Sequence, residues 1–142
     1  MRAFARPQRI AERDEGVSDL SSTAEQRTWV GLSGDLVVAR VRGTVTEEEV
    51  SSAQEQVLRL LDETQRSQVL YDALEMEPPS INLTLVQRGH SDQLYRKGVR
   101  IAILVPDTRT AFLARLAFGQ GDYRVIYNDR AEALAWLTHG DA

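Results

Sequence analysis

The sequence lacks several residue types and motifs that enzymes commonly use. The 142 residues include no cysteine, which excludes disulfide bonds, thiolate metal sites and a cysteine nucleophile. There are only two histidines, His90 and His139, and no Gly-x-Ser-x-Gly motif, so nothing indicates a serine–histidine–aspartate triad. The glycine-containing segment 119–122, GQGD, is too short for a phosphate-binding loop and lacks its lysine. We therefore predict a protein without enzymatic activity and assign no catalytic residue, metal ligand or cofactor.

Long apolar segments are also absent. The longest uninterrupted apolar run is residues 101–105, which suits a β-strand and falls far short of the ~18 residues of a membrane-spanning helix. The first residues show no apolar core of the kind found in signal peptides. We expect a cytoplasmic protein that is not an integral membrane protein.

Positive charge is sparse outside the N-terminus. The formal net charge is −4. Residues 1–13 contain four basic residues, Arg2, Arg6, Arg9 and Arg13, and one acidic residue, Glu12, so positions 14–142 contain 13 basic and 20 acidic residues. An acidic body argues against nucleic-acid binding, which needs a contiguous cationic surface. Residues 1–26 show no periodicity and are predicted to be a flexible basic arm, either a partner-contacting tether or a disordered leader. Residues 27–142 are predicted to form the folded domain.

Hydrophobic periodicity predicts nine elements in the folded domain. The predicted strands are residues 28–32, 36–42, 68–72, 99–105 and 123–127, and the predicted helices are residues 47–63, 80–96, 107–118 and 129–137. Thr46 and Glu49 form a capping-box pattern before the first helix, and Asp129 precedes the last one. Gly89 predicts a kink or a break in the second helix.

This β-β-α-β-α-β-α-β-α order predicts an α/β fold. An N-terminal hairpin followed by alternating strands and helices implies one mixed sheet whose later strands are parallel. The most hydrophobic strand, residues 99–105, is predicted to be central. The inward-facing residues are predicted to include Phe112 and Leu113 in the third helix and Trp136 and Leu137 in the fourth.

The segment after the third strand is the candidate functional region. It comprises an acidic loop and a predicted helix start, with the candidate partner-binding residues Asp72, Glu75, Glu77, Ser80 and Asn82. The Ser80 hydroxyl has two interpretations: it caps the amide of Asn82 or Leu83, or it is a phosphorylation site, because a phosphate is also well placed at a helix N-terminus.

Positions 28–139 resemble a known family. The resemblance is carried by VVARVRGTVTEEEV, VLYDALEM, RIAILVP and YRVIYNDRAEALAWL, in this order. These segments resemble the small bacterial STAS-like proteins, related to the anti-sigma-factor antagonists, in a divergent branch of that group. The resemblance implies a non-enzymatic regulatory module with a phosphorylatable serine at the start of the helix after the third strand. Only Ser80 matches that pattern: Pro79 replaces the expected aspartate, and no glycine follows.

Three functions are compatible with these features. The first is a signalling module that binds a protein partner through the segment beginning near Ser80. The second is a carrier of a small ligand or lipid, with a pocket between sheet and helices that holds Leu83, Leu94 and Phe112. The third is an enzyme that uses Asp72, Glu75 or His90. A homodimer is a further expectation, because Trp29 and Val30 begin a strand that would lie at the sheet edge; the alternative is that Trp29 covers the core.

Overall fold

The computed structural model describes residues 27–119 and 121–139. The strands are β1 (Thr28–Ser33), β2 (Leu36–Gly43), β3 (Gln68–Met76), β4 (Arg100–Val105) and β5 (Asp122–Tyr127). The helices of the described part are α1 (Glu47–Thr64), α2 (Ile81–Lys97), α3 (Thr108–Ala117) and α4 (Arg130–His139). The predicted element order is confirmed. The predicted N-terminal arm, residues 1–26, lies outside the described residues.

The five strands form one mixed sheet in the order β1-β2-β3-β4-β5. The β1–β2 pair is antiparallel and every other neighbouring pair is parallel, as predicted. The hairpin turns at Gly34, whose φ of 59° lies in the left-handed region that glycine tolerates. The predicted central position of β4 is wrong, because β3 occupies the middle of the sheet. The hydrophobicity of β4 reflects helices on both faces of the sheet rather than its place in the strand order.

Helices cover both faces of the sheet unequally. Side chains of α1, α2 and α3 pack with one face around Val37, Val69 and Ile103. The other face packs against α4 through Leu70 and Leu104. The prediction that Trp136 and Leu137 are core residues is confirmed, since both belong to this second cluster. In the part of the chain that is described, no helix has both the length and the apolar character needed to cross a bilayer.

Local capping explains where the first and last helices begin. Thr46 Oγ1 accepts a hydrogen bond from the Glu49 amide at 3.1 Å, and the Glu49 carboxylate accepts one from the Thr46 amide at 2.8 Å. This is the predicted capping box. The hydrogen bond from the Thr46 backbone, with a smaller contribution from Arg27, lowers the pKa of Glu49 from its usual value. Asp129 Oδ1 likewise accepts from the Glu132 amide at 2.9 Å.

Three local predictions need correction. Strand β3 continues four residues beyond Asp72, because a register shift between β2 and β3 lets Glu75 and Met76 pair with the end of β2. Helix α2 runs through Gly89 without interruption, so this exposed glycine lowers helix propensity by about 1 kcal/mol without breaking the helix. Phe112 is 58% exposed and points away from the core, which α3 reaches instead through Ala111, Leu113 and Ala117.

Candidate partner-binding surface

The candidate site lies at the carboxyl edge of the parallel strands. Because β2 to β5 run parallel, their carboxyl ends meet along one edge of the sheet, and each of the four described helices begins there. The residues at these helix starts are Thr46, Ser80, Asp107 and Asp129. Open α/β sheets usually place their binding sites at this edge.

Ser80 caps α2, which confirms one of its two interpretations. Its Oγ accepts a hydrogen bond from the Leu83 amide at 3.0 Å, and its carbonyl accepts from the Thr84 amide at 3.0 Å. Its φ of −69° and ψ of 162° are the extended conformation that is usual for the residue capping a helix N-terminus. Ser80 is exposed, so its hydroxyl is accessible from solvent. Phosphorylation of Ser80 stays a prediction.

An open groove of about 240 Å³ lies between the beginnings of α1 and α2. We call it the Ser80 groove, and its walls are Thr44, Val45, Glu47, Met76, Glu77, Pro78, Pro79, Ser80, Asn82 and Leu83. Three of the predicted partner-binding residues, Glu77, Ser80 and Asn82, therefore lie together. Among the described residues that line it, the charged ones are both acidic, Glu47 and Glu77.

Asp72 is separated from this groove. It is 4% exposed. Its side chain contacts Arg130 of α4 and therefore lies on the face of the sheet that α4 covers. Its carboxylate contacts Arg40 Nε at 3.4 Å and Arg130 Nη2 at 2.5 Å, while its Oδ1 accepts from the Leu74 amide at 3.2 Å. The Leu74 amide follows the point where the β2–β3 register shifts. Asp72, predicted to end the third strand and to contact a partner, is thus a buried residue inside a longer strand, where it holds an irregular part of the sheet.

Glu75 is also a strand residue. It is exposed near the end of β3, where it is the register neighbour of Arg42 in β2, and it does not line the Ser80 groove. The prediction placed it in a loop because the sequence showed neither the extra strand length nor the register shift.

His90 lies on the opposite face of the sheet from the Asp72 side chain. Its Nε2 is 3.1 Å from Ser51 Oγ, and its carbonyl accepts from Gln54 Nε2 at 3.2 Å. Gln54 in turn accepts from the Tyr71 hydroxyl at 2.8 Å. The structure therefore does not bring His90 and Asp72 into one catalytic group, and no cluster in the described ranges has three or more acidic or histidine side chains placed to hold a metal ion.

A second space lies between the sheet and helices α1 to α3. This inner cavity has a volume of about 100 Å³. Its walls are mostly apolar, and they include Ala53, Tyr71, Leu83, Ile103, Thr110, Leu113, Ala114 and Phe118. Of the three residues predicted to line a carrier pocket, Leu83 does so, Leu94 is a fully buried core residue and Phe112 faces outward. Thr110 was not predicted as a site residue, although its helical spacing from Leu113 and Ala117 places it on the buried face of α3.

The mixed five-stranded sheet with three helices on one face and one on the other defines a STAS-type α/β fold. The sequence profile described as SpoIIAA-like matches residues 36–138. The chain therefore belongs to the SpoIIAA-like family. Comparison with curated proteins gives no match.

Solved structures share this fold at low sequence identity. The anti-sigma factor antagonist SpoIIAA in its unphosphorylated form is 10% identical, with a TM-score of 0.60 over 78% of this chain and 96% of that one. An anti-sigma factor antagonist from Mycobacterium paratuberculosis is 14% identical, with a TM-score of 0.57 over 78% and 92% of the two chains. A DUF3478-family protein from Shewanella loihica with a SpoIIAA-like fold is 21% identical, with a TM-score of 0.53 over 78% and 91%.

Proposed function

We propose that this protein is a non-enzymatic bacterial regulatory module that binds a protein partner through the Ser80 groove. Membership of the SpoIIAA-like family supports the proposal, because structures with this fold include anti-sigma factor antagonists. The observation that carries it is local: an accessible serine caps α2 and lines an open groove at the carboxyl edge of the sheet. Partner binding needs such an exposed, shaped surface and no reactive groups.

The charge of the groove indicates the chemistry of the partner. Glu47 and Glu77 line it, and both are exposed, so a partner segment that presents lysine or arginine would be attracted to it. Asn82 adds an exposed amide side chain that can donate and accept hydrogen bonds.

Phosphorylation of Ser80 would act as a switch on the same surface. A phosphate adds about −1.5 to −2 charges at neutral pH. The N-terminus of α2 would stabilise this phosphate. Glu47 and Glu77, which line the same groove, would then have an additional negative charge beside them. The charge of the groove would roughly double, and the hydroxyl that contacts a partner in the unmodified protein would be replaced by a larger group. Ser80→Glu approximates the charge part of this change.

Affinity capture from cells of the source organism tests the proposal. The baits are the wild type, Ser80→Glu and a matched control, Ser67→Glu, at an exposed serine that precedes β3 at the opposite end of the sheet. We expect Ser80→Glu to change the amount of a specific retained protein at least fivefold and Ser67→Glu to leave it unchanged. The intact mass of the recovered bait reports phosphorylation directly. Equal retention by all three baits would contradict a role for the groove.

The inner cavity favours a second candidate function, a carrier of a small ligand or lipid of the kind that apolar cavities bind. Its volume of about 100 Å³ is small for a whole lipid, so a compact organic molecule is the better fit. Native mass spectrometry of the protein purified without detergent tests this function, because a carrier would retain a ligand of defined mass.

A further inference from the structure

The described part of the chain begins beside the Ser80 groove. The Arg27 carbonyl accepts a hydrogen bond from the Arg42 amide at 2.9 Å, and the Arg27 guanidinium contacts Glu49 in the first turn of α1 at 3.3 Å. Thr44 and Val45, which line the groove, directly follow the end of β2. Any segment that precedes Arg27 therefore enters the domain next to the groove.

The opposite wall of the groove is tied to the same point. The Glu77 amide donates a hydrogen bond to the Gly43 carbonyl at 3.0 Å. Gly43 also packs against Arg27, whose Cδ would be 3.6 Å from a Cβ at that position. The entry of the chain and the ends of β2 and β3 thus meet at one rim of the groove.

Negative charge predominates at this rim. Glu47 and Glu77 line the groove, and Glu48 is exposed beside Glu47. The N-termini of α1 and α2 each contribute roughly half a positive charge. These three carboxylates outweigh the two helix ends, so the rim stays negative. Glu49 is left out of this comparison because it is paired with Arg27.

The residues before Arg27 carry their charges in two blocks of opposite sign. We call residues 1–13 the basic segment, because it contains four arginines and one acidic residue. Residues 14–26, the acidic segment, contain four acidic residues and no basic one. The acidic rim repels the block next to Arg27 and attracts the block beyond it. The order of the charges therefore favours docking of the basic segment.

The basic segment also has apolar side chains that suit the groove. Phe4 and Ile10 stand among its arginines, while Met76, Pro79 and Leu83 give the groove partly buried apolar walls. Exposed ion pairs are weak on their own, and apolar contact would supplement them.

The length of the chain allows the basic segment to reach the groove. The 13 residues of the acidic segment span at most about 43–47 Å when fully extended, and the groove lies next to Arg27. A tether of this length gives an effective concentration on the order of millimolar. A millimolar affinity would therefore already fill the groove about half of the time.

We propose that the arginines of the basic segment, residues 1–13, dock it in the Ser80 groove of its own chain, where it competes with the protein partner. The docking stands independently of the proposed function. The competition rests on the proposed function, because it concerns the surface assigned to the partner.

Paramagnetic relaxation in the full chain tests the docking. Because the sequence has no cysteine, Ala5→Cys provides a single site for a nitroxide label within the basic segment. We expect the label to reduce the amide signals of Ser80 and Asn82 by about half in ¹⁵N-labelled protein. The signal of Ser67, at the opposite end of the sheet, should stay unchanged. Groove signals that are no more reduced than that of Ser67 would overturn the docking.

Neutral variants test whether charge drives the docking. Glu47→Gln with Glu77→Gln removes the charge of the groove, and the matched control, Glu55→Gln with Glu63→Gln, removes the same charge from exposed positions of α1 outside it. We expect the groove pair to restore the Ser80 signal and the control pair to leave it reduced. An ionic strength of about 1 M, where the Debye length is about 3 Å, should also restore it. A signal that stays reduced under all these conditions would refute docking by the arginines.

A mixed sample identifies the chain that supplies the basic segment. ¹⁵N-labelled protein without a nitroxide is combined with an equal amount of unlabelled protein that carries the nitroxide at position 5. We expect the groove signals in this mixture to stay at full intensity. Reduced groove signals would show that a second copy supplies the segment and would overturn docking within one chain.

The competition has a separate readout. Arg6→Gln with Arg9→Gln weakens the docking, so in affinity capture this bait should retain about twice as much of the specific partner as the wild type, the factor expected for a half-filled groove. Unchanged or lower retention would refute the competition. The relaxation measurements contain no partner, so failure of the docking and failure of the partner-binding function are distinguishable.

Discussion

Replacing Asp72 tests whether this acidic residue stabilises the fold or binds a partner. Its side chain is 5% exposed and lies between two guanidinium groups that are 50% and 44% exposed. Removing the charge by Asp72→Asn eliminates both ion pairs but keeps an oxygen for the Leu74 amide. Because the arginines can turn to water, each pair is worth about 0.5–1 kcal/mol rather than the value of a fully buried pair. We expect Asp72→Asn to lower the free energy of unfolding by about 1–2 kcal/mol.

Asp72→Ala should have a larger effect than Asp72→Asn. It removes the acceptor of the Leu74 amide as well, and an unsatisfied, partly buried N–H adds about 1–3 kcal/mol. The total is about 2–5 kcal/mol. The Leu74 amide lies beside the β2–β3 register shift, so losing its hydrogen bond would destabilise β3, the central strand of the sheet.

Urea denaturation followed by tryptophan fluorescence measures both effects. With a slope of about 2 kcal/mol/M, the expected loss for Asp72→Asn moves the midpoint down by about 0.5–1 M. Glu75→Gln is the matched control, since this exposed acid in the same strand should change stability by less than about 0.5 kcal/mol. An Asp72→Asn variant as stable as Glu75→Gln would refute the structural role. If Asp72→Asn lost partner capture at unchanged stability, Asp72 would instead be a partner-binding residue.

Three further predictions concern stability. Thr46→Ala should cost about 1 kcal/mol in urea denaturation, because it removes half of the capping box; no change would mean that the box does not stabilise α1. The pKa of Glu49 is lowered on folding from 4.5, so its contribution is present above that pH and is lost as pH falls through the lower folded value. The stability difference between wild type and Glu49→Gln should therefore shrink in acid, and a constant difference from pH 7 to pH 3 would contradict the lowered pKa. Gln65→Gly should stabilise the protein by about 0.5–1 kcal/mol, because Gln65 has a φ of 58° at the end of α1, a conformation that glycine adopts without strain. A less stable variant would show that the hydrogen bond from the Gln65 side chain to the Asp62 carbonyl contributes more than the relief of this strain.

The sequence predicted the features that depend on local chemistry. The capping box at Thr46 and Glu49, the turn at Gly34 and the order of the elements follow from patterns within a few residues. The core positions of Trp136 and Leu137 follow from helical spacing in the same way. Helical periodicity also predicted that Ser80 caps a helix, and the hydrogen bond from the Leu83 amide to Ser80 Oγ confirms it.

Features set by contacts between distant segments were not predictable in this way. The extra length of β3 depends on pairing with β2 across a register shift, which no local pattern encodes. The same pairing places Asp72 inside β3 rather than at its predicted end, and there Arg130, 58 residues away, contacts it. The orientation of Phe112 depends on which face of α3 meets the sheet, and the inner cavity depends on how three helices fit together.

Site-specific photo-crosslinking at Asn82 tests the central claim most directly. A photoreactive amino acid at this exposed groove residue is compared with the same amino acid at Ala135 on α4, in cells of the source organism. The account predicts a discrete covalent adduct with one protein from position 82, changed by Ser80→Glu and absent from position 135. No adduct from position 82, or the same adduct from both positions, would contradict partner binding through the Ser80 groove.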